Sequence, residues 1–135
     1  MGVLSSIIDR SISGSFSSDV FNIGKFAFYG CSSLTSVSFP NVTSIGQNAF
    51  YNCSSLTSAS FPKVTTINYD AFYKCSNLTT IYIGTNTSTV CTLASTYVFN
   101  SCPNLTNIYV PASLVDSYKS AKNWSNYAGK IKAAS

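Results

Sequence analysis

A chain of 135 residues is long enough for one hydrophobic core and short for two. It has no His, no Glu, four Asp and a net charge of +4, so it is poorly supplied for acid–base catalysis, and no basic run interleaves with aromatics as a nucleic-acid surface requires. Ser and Thr make up more than a quarter of the residues and do most of the solvating, and no window approaches the roughly 18 apolar residues of a membrane span, so membrane insertion is not expected.

Residues 1–22 read as a partial N-terminal capping repeat. Ile7, Ile8 and Ile12 are apolar, and SGSFSSDVFNIG echoes the later SVSFPNVTSIG, which sets Phe16 in the place of Phe39 and Ile23 in the place of Ile45. Terminal repeats are atypical because they cover an open end of the core. The opening MGVLSSIIDRSISGS has no apolar stretch long enough for a signal peptide, so none is expected in this chain.

Residues 23–110 read as four coils. IGKFAFYGCSSLTSVSFPNVTS at 23–44 is followed by IGQNAFYNCSSLTSASFPKVTT at 45–66, with 16 of 22 positions identical. INYDAFYKCSNLTTIYI continues the pattern, and STYVFNSCPNLTNIYVP repeats it after a displacement. Self-similarity at such a period is the signature of a solenoid, in which each coil buries its faces only against its neighbours.

Within a coil, Leu34, Val37 and Phe39 have strand spacing, with Val37 and Phe39 inward and Ser36 and Ser38 outward. Pro40 lacks an N–H and ends that ladder. Val42 and Ile45 supply a second inward pair, and Gly46 a permissive turn. Ala49, Phe50 and Cys53 then fit one or two turns of helix with one buried face. Phe28, Phe50, Phe72 and Phe99 are expected to stack as an interior ladder, each contributing about 1.5–3 kcal/mol of burial.

Cys31, Cys53, Cys75 and Cys102 recur at one place in the unit, so they are read as reduced, buried stacking positions. The fifth thiol, Cys91, lies in an insertion and is the one expected to be reachable by reagents. With no CxxC pair and no His, no metal site is expected.

The third coil is irregular. GTNTSTVCTLASTY carries five extra residues before Phe99, so the insertion at 84–98 is expected to bulge as a Thr/Ser/Asn loop. It is a candidate contact site, the alternative being a tolerated surface insertion. Residues 111–135 read as a C-terminal helical cap. Leu114, Val115, Tyr118 and Ala121 have helical spacing over about 112–122, with Trp124, Tyr127 and Ile131 completing the plug.

The motif IGxxAFxxCSSLTSVxFPxVTSI resembles the BspA-like leucine-rich repeats, and IYVPASLVDSYKSAKNWSNYAGKI is similar to their closing segment in gut bacteria. The expected fold is therefore an α/β solenoid of right-handed leucine-rich-repeat coils, with short parallel strands, short helical turns and a C-terminal capping helix. Val42 and Val64 stand where ordinary leucine-rich repeats carry Asn or Cys, so no asparagine ladder is expected. The resemblance implies an extracellular or cell-surface protein that attaches to host matrix, host cells or other bacteria. Similar short proteins without signal peptides look like prophage tail components, which would make the chain virion-associated. Six N-x-S/T sequons, at Asn41, Asn52, Asn77, Asn86, Asn104 and Asn123, would carry glycans only in a secreted eukaryotic protein.

Catalysis is not expected. Asp9, Asp19, Asp70 and Asp116 are spread along the chain, a Cys nucleophile would have only Lys or Asp as its base, and no glycine pattern cradles a phosphate. No cofactor is implied. What remains is surface. The outward strand positions form two rows, Ser36, Ser58, Thr80, Asn107 and Ser38, Ser60, Tyr82, Tyr109, a hydroxyl-rich sheet with aromatics at its C-terminal end. Tyr29, Tyr51 and Tyr73 form another row, just after each buried Phe. Such rows suit a protein or glycan on a host or bacterial cell surface. Alternatively, the Tyr29 row and the Tyr82/Tyr109 pair simply shield the edge of the coils. The expected function is non-catalytic adhesion or recognition. The alternative is a structural or receptor-binding part of a phage tail or similar assembly, which would self-associate or dock on a larger partner.

Overall fold

A 22-residue unit that alternates inward and outward residues twice per turn must bring two strands of each coil into two separate parallel ladders, and this is the observed arrangement. The computed structural model describes residues 2–4, 14–15 and 18–134. The described strands are β1 (Gly2–Leu4), β2 (Gly14–Ser15), β3 (Val20–Ile23), β4 (Ser36–Ser38), β5 (Ser44–Ile45), β6 (Ser58–Phe61), β7 (Thr66–Ile67), β8 (Thr80–Ile83), β9 (Thr92–Leu93), β10 (Asn107–Val110) and β11 (Ile131–Ala133). One sheet runs β11-β10-β8-β6-β4-β2 and the other β1-β3-β5-β7-β9, with every pairing parallel. The expected equivalence of Phe16 with Phe39, and the apolar Ile7, Ile8 and Ile12, lie outside the described residues.

The core lies between the two sheets. Phe28, Phe50, Phe72 and Phe99 stack in sequence at centroid distances of 4.9, 5.1 and 5.5 Å. A second stack, Phe39 on Phe61 at 5.7 Å, meets the first edge-on, with Phe39 5.9 Å from Phe28 and Phe61 5.8 Å from Phe50. Stacked and edge-to-face contacts of this kind add about 0.5–1.5 kcal/mol per pair beyond area burial.

The segment expected to be helical, 47–53, is instead a chain of hydrogen-bonded turns. Ala49 N–H donates to Gly46, Tyr51 to Asn48 and Cys53 to Phe50. The reason lies in the backbone. Phe26, Asn48 and Asp70 occupy one left-handed row, at φ 60°, 58° and 55°. Gly30, Asn52, Lys74 and Ser101 occupy another four residues on, at 68°, 58°, 63° and 60°. A left-handed residue every four positions stops helix propagation, and Gly, Asn and Asp tolerate that conformation best. Lys74 does not, and its exposed ammonium makes only a long contact, 5.8 Å, with the Tyr73 ring. Lys74→Gly is therefore expected to raise stability by about 0.5–1 kcal/mol in urea denaturation. A lower midpoint would mean that the left-handed strain is not relieved there.

Side-chain rungs supplement the strands. Thr57 Oγ1 donates to the Thr35 carbonyl at 3.0 Å, Thr79 to Thr57 at 3.1 Å and Thr106 to Thr79 at 3.4 Å. Thr43 and Thr65 make a second such row, to Phe21 and Thr43. Val42 and Val64 are buried, as a departure from asparagine at that place requires. Asparagine rungs occur elsewhere. Asn41, Asn77 and Asn104 donate Nδ2 to the carbonyls of Ser18, Ser54 and Ser76, at 2.9, 2.8 and 2.8 Å. Three sequons are thus a structural pattern: Asn and Thr bond the preceding coil on either side of a buried residue.

The C-terminal segment closes both sheets. After a short 3₁₀ turn at Ala112–Leu114, helix α1 (Val115–Ser120) buries Tyr118, with Leu114, Val115 and Ala121 packed partly against the core. Trp124 is 1% exposed and Ile131 3%. The first sheet gains β11, a strand the sequence did not announce. Lys130 Nζ donates to the Leu105 carbonyl at 2.8 Å and Lys132 Nζ to that of Thr106 at 3.2 Å, ending the rungs. At the other sheet, side chains cap the β9 edge: Trp124 Nε1 donates to the Cys91 carbonyl at 2.6 Å and Asn123 Nδ2 to that of Leu93 at 2.6 Å.

Candidate functional site

Strand register decides which outward residues meet. Ser36 pairs with Ser58, Ser58 with Thr80 and Thr80 with Asn107; Ser38 pairs with Ser60, Ser60 with Tyr82 and Tyr82 with Tyr109. All eight candidate residues therefore lie on the outer face of β4, β6, β8 and β10, in two parallel rows. Their inward neighbours Val37, Ala59, Ile81 and Ile108 are buried, so the alternation is fixed by the core.

The face has two halves of different character. At the C-terminal half, Lys132 Nζ holds Asn107 Oδ1 at 2.6 Å, and Asn107 Nδ2 reaches Thr80 Oγ1 at 3.4 Å. Lys132 is the contributor that the repeat pattern hides, because it arrives from β11. Tyr82 and Tyr109 stack at 5.0 Å and 23°, with Tyr82 38% exposed. In the N-terminal half, Ser36, Ser38, Ser58 and Ser60 floor a shallow groove of about 280 Å³ over Val37 and Ala59, with Tyr82 at its side.

Tyr29, Tyr51 and Tyr73 form a separate stripe, stacked at 5.0 and 5.2 Å. Phe26, exposed in its left-handed turn, extends it at 5.5 Å from Tyr29. The insertion at 84–98 is anchored rather than loose at its far end. Thr87 Oγ1 donates to the Gly84 carbonyl at 2.8 Å, and Cys91 N–H donates to the Tyr118 hydroxyl at 2.9 Å. Asn86, Ser88, Thr89 and Tyr97 remain exposed.

The thiols belong to the interior. Cys53, Cys75 and Cys102 donate Sγ–H to the carbonyls of Phe28, Phe50 and Phe72 at 3.1, 3.1 and 3.0 Å, so the row is a ladder of weak hydrogen bonds as well as a packing position. The expectation that Cys91 is accessible is corrected: it is 1% exposed, sealed by Tyr118 and Trp124, whereas Cys102 is 7% exposed. Burial raises the Cys75 thiol well above its ordinary range and pushes Cys91 to about 12 and Cys102 to about 11. A thiol whose folded pKa is raised leaves stability intact below the unfolded value of about 8.5 and removes it as pH climbs toward the folded value. The melting temperature is expected to be flat up to about pH 8 and to fall steadily from pH 9 to 11. A constant melting temperature over that range would show that the thiols ionise equally in both states. Below pH 8, Cys102 should be the first to react with a thiol reagent.

Among the described residues no group of His, Cys, Asp or Glu is placed to hold a metal, and no helix is long and apolar enough to cross a membrane. The face offers hydroxyls, an amide, the Lys132 ammonium and stacked phenol rings.

Comparison with known proteins agrees with this architecture. The family model for the BspA type leucine rich repeat region matches residues 10–127 as six copies. No curated protein matches the chain significantly. Among solved structures, a leucine rich cell surface protein from Faecalibacterium prausnitzii A2-165 is similar at 30% identity and a TM-score of 0.61, over 73% of this chain and 29% of its own. A leucine-rich repeat protein from Bacteroides ovatus ATCC 8483 is similar at 27% identity and a TM-score of 0.62, over 87% of this chain and 31% of its own. The T. pallidum leucine rich repeat protein, at 22% identity and a TM-score of 0.50 over 82% of this chain and 64% of its own, shares the fold. The chain thus spans less than two thirds of the length of each. With two parallel ladders, an aromatic interior and the recurrent unit matched along nearly its whole length, the chain belongs to the BspA type leucine-rich repeat family.

Proposed function

We propose that this chain is a non-catalytic recognition module that binds a protein or glycan on a host or bacterial cell surface through the outer face of β4, β6, β8 and β10. The observation that carries this reading is the register that gathers four serines, Thr80, Asn107 and the Tyr82–Tyr109 pair on one rigid face. Sites on strands hold their geometry with little ordering cost on binding. A place at the cell surface is in keeping with the similar F. prausnitzii protein, which is a cell surface protein.

The test is binding of the fluorescently labelled domain to intact gut bacteria and to epithelial cells with matrix proteins. Saturable binding to one panel, weakened at least about tenfold by Tyr82→Ala, is expected, since loss of an aromatic anchor commonly costs that much. Undiminished binding of Tyr82→Ala would move the contact surface elsewhere. The stacked Phe26–Tyr29–Tyr51–Tyr73 stripe, exposed at Phe26 and Tyr29 and half-buried at Tyr51 and Tyr73, favours a second reading, docking onto a larger assembly such as a phage tail. Under that reading Tyr51→Ala, rather than Tyr82→Ala, abolishes association.

A further inference from the structure

Hydroxyl groups in and beside the strands differ in what they engage. Those of Thr43, Thr57, Thr65, Thr79 and Thr106 are consumed by carbonyls of the preceding coil. Asn107 donates to Thr80 and accepts from Lys132. Ser36, Ser38, Ser58 and Ser60 donate to no acceptor among the described residues, and they are the four that floor the groove beside Tyr82. Among the outward positions of β4, β6, β8 and β10, the unengaged serine hydroxyls therefore lie together on β4 and β6.

The wall of that place is an aromatic face. Tyr109 stacks on one side of the Tyr82 ring, and register sets Ser60 on the other side, so the free face of Tyr82 looks across the serine floor. The stack holds the ring upright, so little freedom is lost when a ligand lies against it. No charged side chain lines the groove. The hydroxyls form a grid with spacings of about 4.8 Å between strands and about 6.6 Å along them.

Resting on the proposed recognition role of this face, we infer that its ligand is a neutral glycan, with one pyranose ring stacked on Tyr82 and its hydroxyl rim hydrogen bonded to Ser58 and Ser60. A pyranose ring presents an apolar C–H face and a polar edge, which matches a ring face standing over hydroxyls. A peptide would find no charge here and only a shallow apolar floor at Val37 and Ala59. The groove volume of about 280 Å³ lies at the small end of ligand clefts, which suits a terminal mono- or disaccharide rather than a long chain.

The experiment is a printed glycan array carrying neutral hexose-terminated and acidic glycans, followed by saturation-transfer NMR with lactose, maltose and cellobiose. Proteins compared are the wild type, Tyr82→Ala, the Ser58→Ala/Ser60→Ala pair and Tyr51→Ala. The expected result is saturable binding of at least one neutral glycan, reduced at least about tenfold in Tyr82→Ala and in the serine pair and unchanged in Tyr51→Ala. Circular dichroism confirms that the variants remain folded. Two results overturn the inference: binding confined to acidic glycans, or no glycan binding. If cell binding still depends on Tyr82 in either case, the recognition role stands and the ligand is a protein or a charged group. If cell binding is also independent of Tyr82, the role of this face falls with it.

Discussion

Phe50→Ala is expected to lower stability by about 3–5 kcal/mol, as truncation of a buried aromatic does. Phe50 is fully buried and sandwiched between Phe28 and Phe72 at 4.9 and 5.1 Å, its ring within 5° of parallel to either. Phe39 and Phe61 meet it edge-on at 6.4 and 5.8 Å. The substitution removes the burial of the ring and leaves a cavity that the four surrounding rings, each buried and packed on its own neighbours, cannot collapse to fill. In a solenoid the damage touches both coil interfaces that Phe50 joins, since each coil is stabilised only by its neighbours. Against a total of about 5–15 kcal/mol for a domain, that loss is from about a fifth to the whole of the stability. Guanidinium denaturation measures it. A midpoint close to that of the unaltered protein would show that the aromatic stack is not what holds the coils together.

Trp124→Ala is the second large effect, again about 3–5 kcal/mol, with a different signature. Trp124 packs against Tyr118 at 5.1 Å and Phe99 at 6.1 Å while its Nε1 caps the Cys91 carbonyl. Its loss opens the end of the interior stack and leaves a buried carbonyl on the β9 edge without its donor. Because the closing segment lies at the end of the solenoid and covers the last coil from one side, the cap should loosen before the central coils do. Rapid thiol labelling of Cys91 and Cys102, with Cys53 still protected, is the expected pattern. Equal labelling of Cys53 would mean that the molecule unfolds as one unit. Trp124 is also the sole tryptophan, so its fluorescence in the unaltered protein follows the cap alone.

Much of this architecture was legible in the sequence because the determinants recur. Phe, Leu and Cys at fixed offsets define an interior, and the alternation around Val37 and Phe39 fixes which residues face out. What was hidden is what does not recur or has no side-chain signature. Phe26 and Lys74 sit in left-handed turns that their identities do not favour; only Asn48, Asn52, Asp70 and Gly30 in the same rows hint at them. Ile131–Ala133 is too short and too polar to read as a strand, yet the open edge of β10 recruits it. Cys91 was misplaced because an insertion was equated with exposure, whereas the cap folds back over it. The candidate rows on the sheet followed from period-two alternation. The division of that face into engaged and free hydroxyls did not, since it depends on Lys132 arriving from outside the repeat.

The near-identity of residues 23–44 and 45–66 has an evolutionary consequence. Ser36 meets Ser58 as Ser58 meets Thr80, and Phe28 meets Phe50 as Phe50 meets Phe72, so the contacts between the first two coils repeat between the second and third. Unequal recombination between two such tandem copies adds or excises a whole coil without creating a mismatched junction. Removing 45–66 would set Phe28 against Phe72 and Ser36 against Thr80, leaving the closing segment untouched. Lineages carrying this unit can therefore lengthen or shorten the outer face in single genetic steps, changing the reach of the surface while the closing segment over the last coil stays the same.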